Sequence, residues 1–340
     1  MKFIELFAGI GGFRYGLESC RSLGQKQNEQ RTELESLRPN GYKPQFNSSD
    51  GNGGRFYTNY CCVWANEIDK YACQIYRKNY GGEELYEGDI TKLSTGIIPD
   101  HDLLCGGFPC QAFSIAGKRG GFDDTRGTLF FQIARIAKEK QPCFLLLENV
   151  KGLLSHNKGA TFATILSTLD EIGYDLQWEV LNSKNFGVPQ NRERVFIVGH
   201  LRGTSRPEIF PIGGTGEKSK NIVCPTIRAT HYKSGDNQPL IIRGRPKMPY
   251  EHGKRKLKYS IYKDIVPNLT STTHSGDQKN MLVKDMKIRR LTPTECERLQ
   301  GFPDGWTEGV SDTQRYKCLG NAVTTNVIAA IGERIKNYAN

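Results

Sequence analysis

Gly106-Gly107-Phe108-Pro109-Cys110-Gln111-Ala112-Phe113-Ser114 follows the short apolar run Leu103-Leu104-Cys105. That run has the length and composition of a buried strand. The two glycines permit a tight turn, and Pro109 stiffens the step before the cysteine. Open α/β sheets bind ligands at the carboxyl ends of their strands, so Cys110 is placed where chemistry happens in such folds. A lone cysteine is more often a buried structural thiol. The units on either side decide between the two.

Upstream, Lys2 to Phe7 reads as a strand running into Phe7-Ala8-Gly9-Ile10-Gly11-Gly12-Phe13 and a helical stretch from Arg14 to about Leu23. Strand, Gly-rich turn and helix open a nucleotide-type βα unit. The spacing is G-x-G-G rather than G-x-G-x-x-G, which disfavours a dinucleotide. Cys61 to Ala65 forms a second strand, followed by Asn66-Glu67-Ile68-Asp69 and a helix to about Tyr80. An acidic residue just past the second strand is where such folds hold a ribose hydroxyl pair, and Glu67 stands there. A carboxylate favoured by the helix dipole is the plainer alternative. Gly88-Asp89-Ile90-Thr91 repeats the arrangement one unit later. Between the first two units, residues 24–55 are rich in Gln, Asn, Ser and Gly. They read as a surface insertion with too little apolar material for a core.

Downstream of Cys110, Gly117-Lys118-Arg119-Gly120-Gly121-Phe122-Asp123-Asp124 has the length and hinge glycines of a lid. Thr128 to Lys140 is amphipathic, with Leu129, Ile133, Ile136 and Ala137 on one face. Cys143 to Leu147 is a continuous apolar strand ending at Glu148-Asn149-Val150, at the same sheet edge as Cys110. Half-burial there would raise the Glu148 pKa and suit it to proton donation. Phe162 to Ile172 is helical; Leu176 to Leu181 and Val195 to Val198 are strands. Arg192 and Arg194 alternate toward one face at the entry of the second strand, or are simply surface arginines beside Glu193.

The formal charge of +11 is unevenly placed: residues 200–288 carry 17 Lys and Arg against 7 Asp and Glu, a balance of +10. A basic segment on a near-neutral body points to a polyanion, nucleic acid first. Within it, residues 225–236 and 267–277 form an imperfect repeat of strand and Ser/Thr/Gly loop, separated by Lys254-Arg255-Lys256. This reads as a small β-rich module whose loop residues Arg228, Thr230, His231, Thr272, Thr273 and His274 reach base edges. The histidines lack the spacing of metal ligands. Ten cysteines without a C-x-x-C pair read as reduced thiols in a cytoplasmic protein with no zinc site. No apolar run approaches the roughly 18 residues of a membrane span, and the N-terminus lacks a signal-peptide pattern.

These blocks, in this order, resemble the DNA (cytosine-5-)methyltransferases, especially the single-domain enzymes of bacterial restriction-modification systems. The resemblance runs through FAGIGGF (7–13), NEID (66–69), GDIT (88–91), GGFPCQAFS (106–114), ENV (148–150), QNRER (190–194), RRLTPTECERLQGFPDGW (289–306) and GNAV (320–323). It implies a Rossmann-like α/β fold: a mixed, mostly parallel sheet with an antiparallel hairpin and helices on both faces, plus a small β-rich target recognition domain. It divides the chain into a catalytic part, 1–199 and 318–340, and a recognition region with its hinge, 200–317. S-adenosylmethionine would lie on the turn Phe7 to Gly12, its ribose on Glu67 and its adenine beside Ile68, Asp89 and Ile90. Pro109, Leu129, Asn321 and Ala322 would complete that pocket. Cys110 would be the nucleophile, Glu148 would engage N3 of the target cytosine and Arg194 its O2, with Arg192 alongside. Residues 111 to about 126, with Gln111, Ser114, Lys118 and Arg119, would close over double-stranded DNA. The resemblance further implies a monomer on DNA, encoded by a bacterium or phage, with no metal and no membrane. Ile68 departs from the larger side chain common at that position.

The chemistry agrees. A thiolate adding at carbon 6 of cytosine turns carbon 5 into a nucleophile toward a methyl sulfonium. Charge develops toward N3, where a protonated carboxyl helps, and the base leaves the helix to expose both faces. A tRNA cytosine-5 methyltransferase and a non-catalytic DNA-binding regulator are the competing readings. Neutralising two of Lys254, Arg255, Lys256 and Lys258 is expected to weaken binding to all DNA sequences and flatten the salt dependence by about one to two slope units. Changes in the two Ser/Thr-Gly loops should instead alter which site is methylated. Binding at two salt concentrations, with methylation-site sequencing, checks this division.

Overall fold

The structure, a computed structural model, describes residues 1–20, 60–109, 129–203, 208–212, 224–225, 282–284, 287–289 and 291–336. The polar run 24–55, Cys110, and the DNA-facing calls at Gln111, Ser114, Lys118, Arg119, Arg228, Thr230, His231, Lys254, Arg255, Lys256, Thr272, Thr273 and His274 lie outside the described residues.

Chain order runs β1 (Lys2–Leu6), α1 (Gly12–Glu18), β2 (Cys61–Glu67), α2 (Lys70–Tyr80), β3 (Leu85–Glu87), β4 (Leu103–Gly107), α3 (Leu129–Lys140) and β5 (Phe144–Val150). It continues through α4 (Ala160–Glu171), β6 (Tyr174–Asn182), β7 (Gln190–Asn191), β8 (Glu193–Leu201), β9 (Cys224–Pro225), β10 (Leu282–Lys284) and β11 (Lys287–Arg289). Helices α5 (Pro293–Leu299), α6 (Asp312–Asn321) and α7 (Thr325–Lys336) close the described chain. Seven strands form one sheet in the order β3-β2-β1-β4-β5-β8-β6. The first five are mutually parallel, and β8 runs antiparallel to both β5 and β6. The chain winds outward from β1 to β3 and then from β4 to β5, so the order reverses between β1 and β4. The crevice outside the carboxyl ends of these two strands is the position such sheets use for ligands.

The apolar runs explain the layering. Successive strand residues face opposite sides. Phe3, Leu103, Cys105, Phe144, Leu146, Phe196 and Val198 fall in one buried cluster, with Phe13 and Leu17 of α1 and Val327, Ile328 and Ile331 of α7. Their neighbours Ile4, Leu6, Leu104, Leu145, Leu147, Val195 and Ile197 fall in the other, beneath Phe130, Ile133 and Ala137 of α3 and Ile165 and Leu169 of α4. A sheet covered on both faces demands continuous rather than alternating hydrophobicity, which these strands have.

Several expectations shift. Gly106 and Gly107 end β4 in register with Leu147 and Glu148 instead of forming the turn. Helix α1 stops at Glu18, short of the expected Leu23. Glu67 is the last residue of β2. Thr292 does cap α5 through a reciprocal capping box with Glu295, with Pro293 at the first turn. Residues 312–321 fold as α6. Residues 291–317, grouped by sequence with the recognition region and hinge, build a third cluster against Ile10, Ala72 and Ile75 through Leu291, Cys296, Leu299, Phe302, Trp306 and Tyr316.

Helix α1 docks on α7 through Gly16: a Cβ there would lie 2.6 Å from Ile328 Cβ and 2.7 Å from the Thr325 carbonyl oxygen. Alanine is the better helix former by about 1 kcal/mol, but that clash is with backbone and a branched Cβ. Gly16→Ala is therefore expected to destabilise by about 1–3 kcal/mol net. Gly152→Ala, where a Cβ meets nothing within 4 Å, should be close to neutral. Urea midpoints of the two variants check this.

Candidate active site

The carboxyl ends of the strands open on a cleft of about 370 Å³ lined by Phe7, Gly9, Glu67–Asp69, Gly107–Pro109, Leu129, Glu148–Val150, Arg192, Arg194 and the end of α6. Strand register aligns its floor. Leu6 pairs with both Asn66 and Gly106, and Gly107 pairs with Glu148, so Phe7, Glu67, Gly107 and Glu148 emerge at one level.

The turn after β1 is held from below. Glu5, fully buried, accepts the Phe13 N–H at 3.1 Å and so caps α1 from inside the sheet, where Gly11 offers no side chain. Burial pushes the Glu5 carboxyl up to about 8, partly offset by that N–H and the nearby Arg14 charge. The glycines divide the labour. A Cβ on Gly11 would strike the Tyr80 ring at 2.3 Å and one on Gly12 would meet Val323 Cγ1 at 2.8 Å, while Gly9 has nothing within 4 Å. Of these three, Gly9 lines the cleft. Phe7, at φ 56, adopts the left-handed conformation that costs a non-glycine residue of order 1 kcal/mol and is concentrated at functional sites.

Glu67 is presented by three backbone donors. Its Oε2 accepts the Gly9 N–H at 2.7 Å, and its Oε1 accepts those of Ile68 and Asp69 at 2.8 Å each. Ile68 beside it lines the cleft and is 68% exposed. Asp69 caps α2 through the N–H groups of Tyr71 and Ala72 and takes an ion pair from Lys317 of α6. Burial pushes its carboxyl up, but the Lys317 hydrogen bond and the backbone donors outweigh this and hold it below its ordinary value.

On the other side, Glu148 Oε1 and Arg194 Nε pair at 3.0 Å across the antiparallel strands β5 and β8. Arg194 also donates to the Glu193 carbonyl at 2.7 Å. Gly107 leaves room for this pair: a Cβ there would meet Glu148 Oε2 at 3.4 Å. Asn149 ties β5 to the exit of β4, its Nδ2 donating to the Phe108 carbonyl at 2.9 Å. That anchor sits immediately before Pro109, which lines the cleft. Arg192 also lines it, yet is only 2% exposed and donates to the carbonyls of Ala322 at 2.8 Å and Gly320 at 3.3 Å.

Phe7, Gly9, Glu67, Ile68, Pro109, Leu129, Glu148, Arg192, Arg194 and Asn321 are thus brought together around one cleft. Ala8, Ile10, Gly11, Gly12, Asp89, Ile90 and Ala322 stand outside its lining. Ile10 and Ile90 are buried in hydrophobic clusters, and Asp89 caps a one-turn helix through Thr91. Asn149, Asp69 and Lys317 are additions. The ENV and NEID motifs drew attention to the first two, whereas nothing local marks Lys317. Among the described residues no group of three or more His, Cys, Asp or Glu is arranged to hold a metal ion, and no helix is long and apolar enough to cross a membrane.

Comparison with known proteins places this arrangement. Residues 1–224 and 213–337 match the family model of C-5 cytosine-specific DNA methylases. The type II methyltransferase M1.ScrFI of Lactococcus lactis subsp. cremoris is 39% identical over 98% of this chain and 77% of its own. M.HhaI of Haemophilus parahaemolyticus is 34% identical over the whole of this chain and 95% of its own. The solved structure of S. pombe Dnmt2 methyltransferase superposes with a TM-score of 0.61 at 19% identity, covering 99% of this chain and 98% of that one, a likeness of fold. The chain belongs to the C-5 cytosine-specific DNA methylase family. It is an enzyme of methyl transfer to DNA, which decides against the tRNA-modifying and non-catalytic alternatives.

Glu5 supplies a pH test of the turn. Its folded pKa of about 8 stands above the ordinary value of 4.5, so the folded state keeps a proton that the unfolded chain releases. This contribution to stability is complete below the unfolded pKa and is lost as pH rises through about 8. Glu5→Gln should remove that slope, and its stability relative to wild type should rise from pH 5 to pH 9. Urea midpoints at three pH values are the measurement; parallel profiles would refute it.

Proposed function

We propose that the enzyme binds S-adenosylmethionine in this cleft and methylates carbon 5 of a flipped cytosine through a covalent bond to Cys110. The observation that carries the reading is the Glu148–Arg194 pair in the lining of the cleft, which Pro109, the residue before Cys110 in sequence, also lines. The cofactor's residues fit. Gly9 leaves open space against the backbone. The Glu67 carboxylate, oriented by three N–H groups, keeps acceptor capacity for ribose hydroxyls. Ile68 offers an apolar ledge for an adenine ring. The cofactor supplies an electrophilic methyl group on a sulfonium sulfur.

The chain's own residues do the rest. The Cys110 thiolate forms a bond to carbon 6 of cytosine, and the electron pair of the 5,6 double bond becomes available at carbon 5. Glu148, once it has taken up a proton from solvent, donates a hydrogen bond or that proton toward N3, and Arg194 holds O2, so the charge developing on the ring meets two fixed partners. After transfer the carbon-5 proton leaves to a base, carbon 5 and carbon 6 regain their double bond, and the thiolate departs. Arg192, which holds the Gly320 and Ala322 carbonyls, positions Asn321 rather than touching the base.

We further infer that the basic stretch 200–288 reads the DNA site while residues 1–199 and the C-terminal helices hold cofactor and target base. Relatives named as type II methyltransferases support a role as the modification partner of a restriction enzyme, and we infer that it acts as a monomer on duplex DNA in the bacterial cytoplasm. Cys110→Ala should abolish methyl transfer and retain DNA binding. A duplex carrying 5-fluorocytosine, incubated with S-adenosylmethionine, should trap the wild-type enzyme covalently, because fluorine does not leave as a proton. Substantial turnover by Cys110→Ala would rule out this nucleophile.

A further inference from the structure

Two carboxylates, Glu67 and Asp69, line the cleft from the same turn. Their partners differ. Glu67 is held by backbone N–H groups alone. Asp69 uses Oδ1 to cap α2, accepting from Tyr71 and Ala72 at 2.9 and 3.1 Å, and turns Oδ2 to the ammonium of Lys317, 248 positions along the chain. Lys317 itself lines the cleft, and the residues after it, Cys318, Gly320 and Asn321, continue the wall. The bridge therefore joins the turn that carries Glu67 to the helix end that faces it. Both side chains are over a quarter exposed, 28% and 29%. Ion pairs this accessible to water add little to global stability, so the consequence of losing this one is local.

Resting on the reading that the cleft holds S-adenosylmethionine, we propose that Lys317 is a positioning residue for cofactor binding. Its pair with Asp69 fixes α6 against the Glu67 turn and neutralises the second carboxylate beside the hydroxyl-binding one. Without it, the Asp69 carboxylate at the cofactor site keeps only its two backbone donors and the Cys318–Asn321 wall loses this tie to the Glu67 turn.

The test uses the full-length enzyme, S-adenosylmethionine and a duplex substrate. Lys317→Met should weaken cofactor binding measured by calorimetry about tenfold and raise the cofactor KM alike, with kcat and the KM for DNA changed by less than about threefold. Lys317→Arg, which keeps the charge, should recover most of the loss. Asp69→Asn retains a good helix cap and removes the tie without leaving a bare carboxylate, so it should show a smaller defect than Lys317→Met, and the double variant should be no worse than Lys317→Met, as expected of two residues acting through one contact. The urea midpoint should barely move. Cofactor affinity of Lys317→Met within about twofold of wild type, or losses that add in the double variant, would overturn the proposal. Failure of the wild-type enzyme itself to bind S-adenosylmethionine would sink the cofactor reading and this proposal together, an outcome separate from a failure of the variants alone.

Discussion

A small set of buried side-chain amides and one guanidinium holds the C-terminal helices against the middle of the chain, and one wall of the cleft stands on them. The Gln300 amide nitrogen donates to the carbonyls of Leu319 and Ala322, and its oxygen accepts from Gln190 and Thr324. Gln190 in turn donates to the Leu299 carbonyl, Thr324 meets Ser183 at 2.8 Å, and Arg192 donates to Ala322. Gln190, Gln300 and Thr324 are buried. A buried polar group left unpaired costs about 1–3 kcal/mol, so removing any one member exposes the others to that penalty. The directional bonds give one seating, and with it the wall from Lys317 to Asn321.

This constraint explains which features were legible in the sequence. The strands announced themselves because a doubly covered sheet needs unbroken apolar runs, and Phe144 to Leu147 is one. The start of α5 was legible because capping is a local reciprocal contact between Thr292 and Glu295. The order of Gly9, Glu67 and Glu148 along the chain was enough to place them at one edge, because βα units deliver the ends of parallel strands to the same side. Features that depend on distant partners were not legible. What lies beside the Cβ positions of Gly11 and Gly12, the Tyr80 ring and Val323, comes from far along the chain. Arg192 and Arg194 share a motif and a face, yet one serves the C-terminal loop and the other Glu148. Helix α6 carries no apolar stripe, and its lysine finds its partner only after the fold has brought residue 317 to residue 69.

The glycines at the first turn show why composition alone misleads. A glycine permits close approach without saying what approaches. In α1 the visitor at Gly16 is α7, at Gly12 it is Val323, and at Gly11 it is the ring of Tyr80, which also donates its hydroxyl to the Gly11 carbonyl at 3.1 Å. Protein packing has taken these approaches and left one opening, at Gly9, beside the Glu67 carboxylate that receives its N–H. The turn is therefore a joint between three layers first and a ligand surface second.

Strand direction completes the site. In the five parallel strands only the residues at or after the carboxyl ends reach the ligand edge. An antiparallel strand reverses this: its first residues lie at that edge, and those further along lead away. Strand β8 begins at Glu193 with Arg194 opposite Val150 and Phe196 opposite Glu148. Arg194 therefore meets Glu148 on the diagonal, two positions along the neighbouring strand, within reach of a long side chain. Had β8 run parallel to β5, its start at Glu193 and Arg194 would lie at the opposite edge of the sheet, and a cation facing Glu148 would have to come from a loop. The reversed strand instead fixes the guanidinium on a rigid element, and Gly107 keeps the approach open.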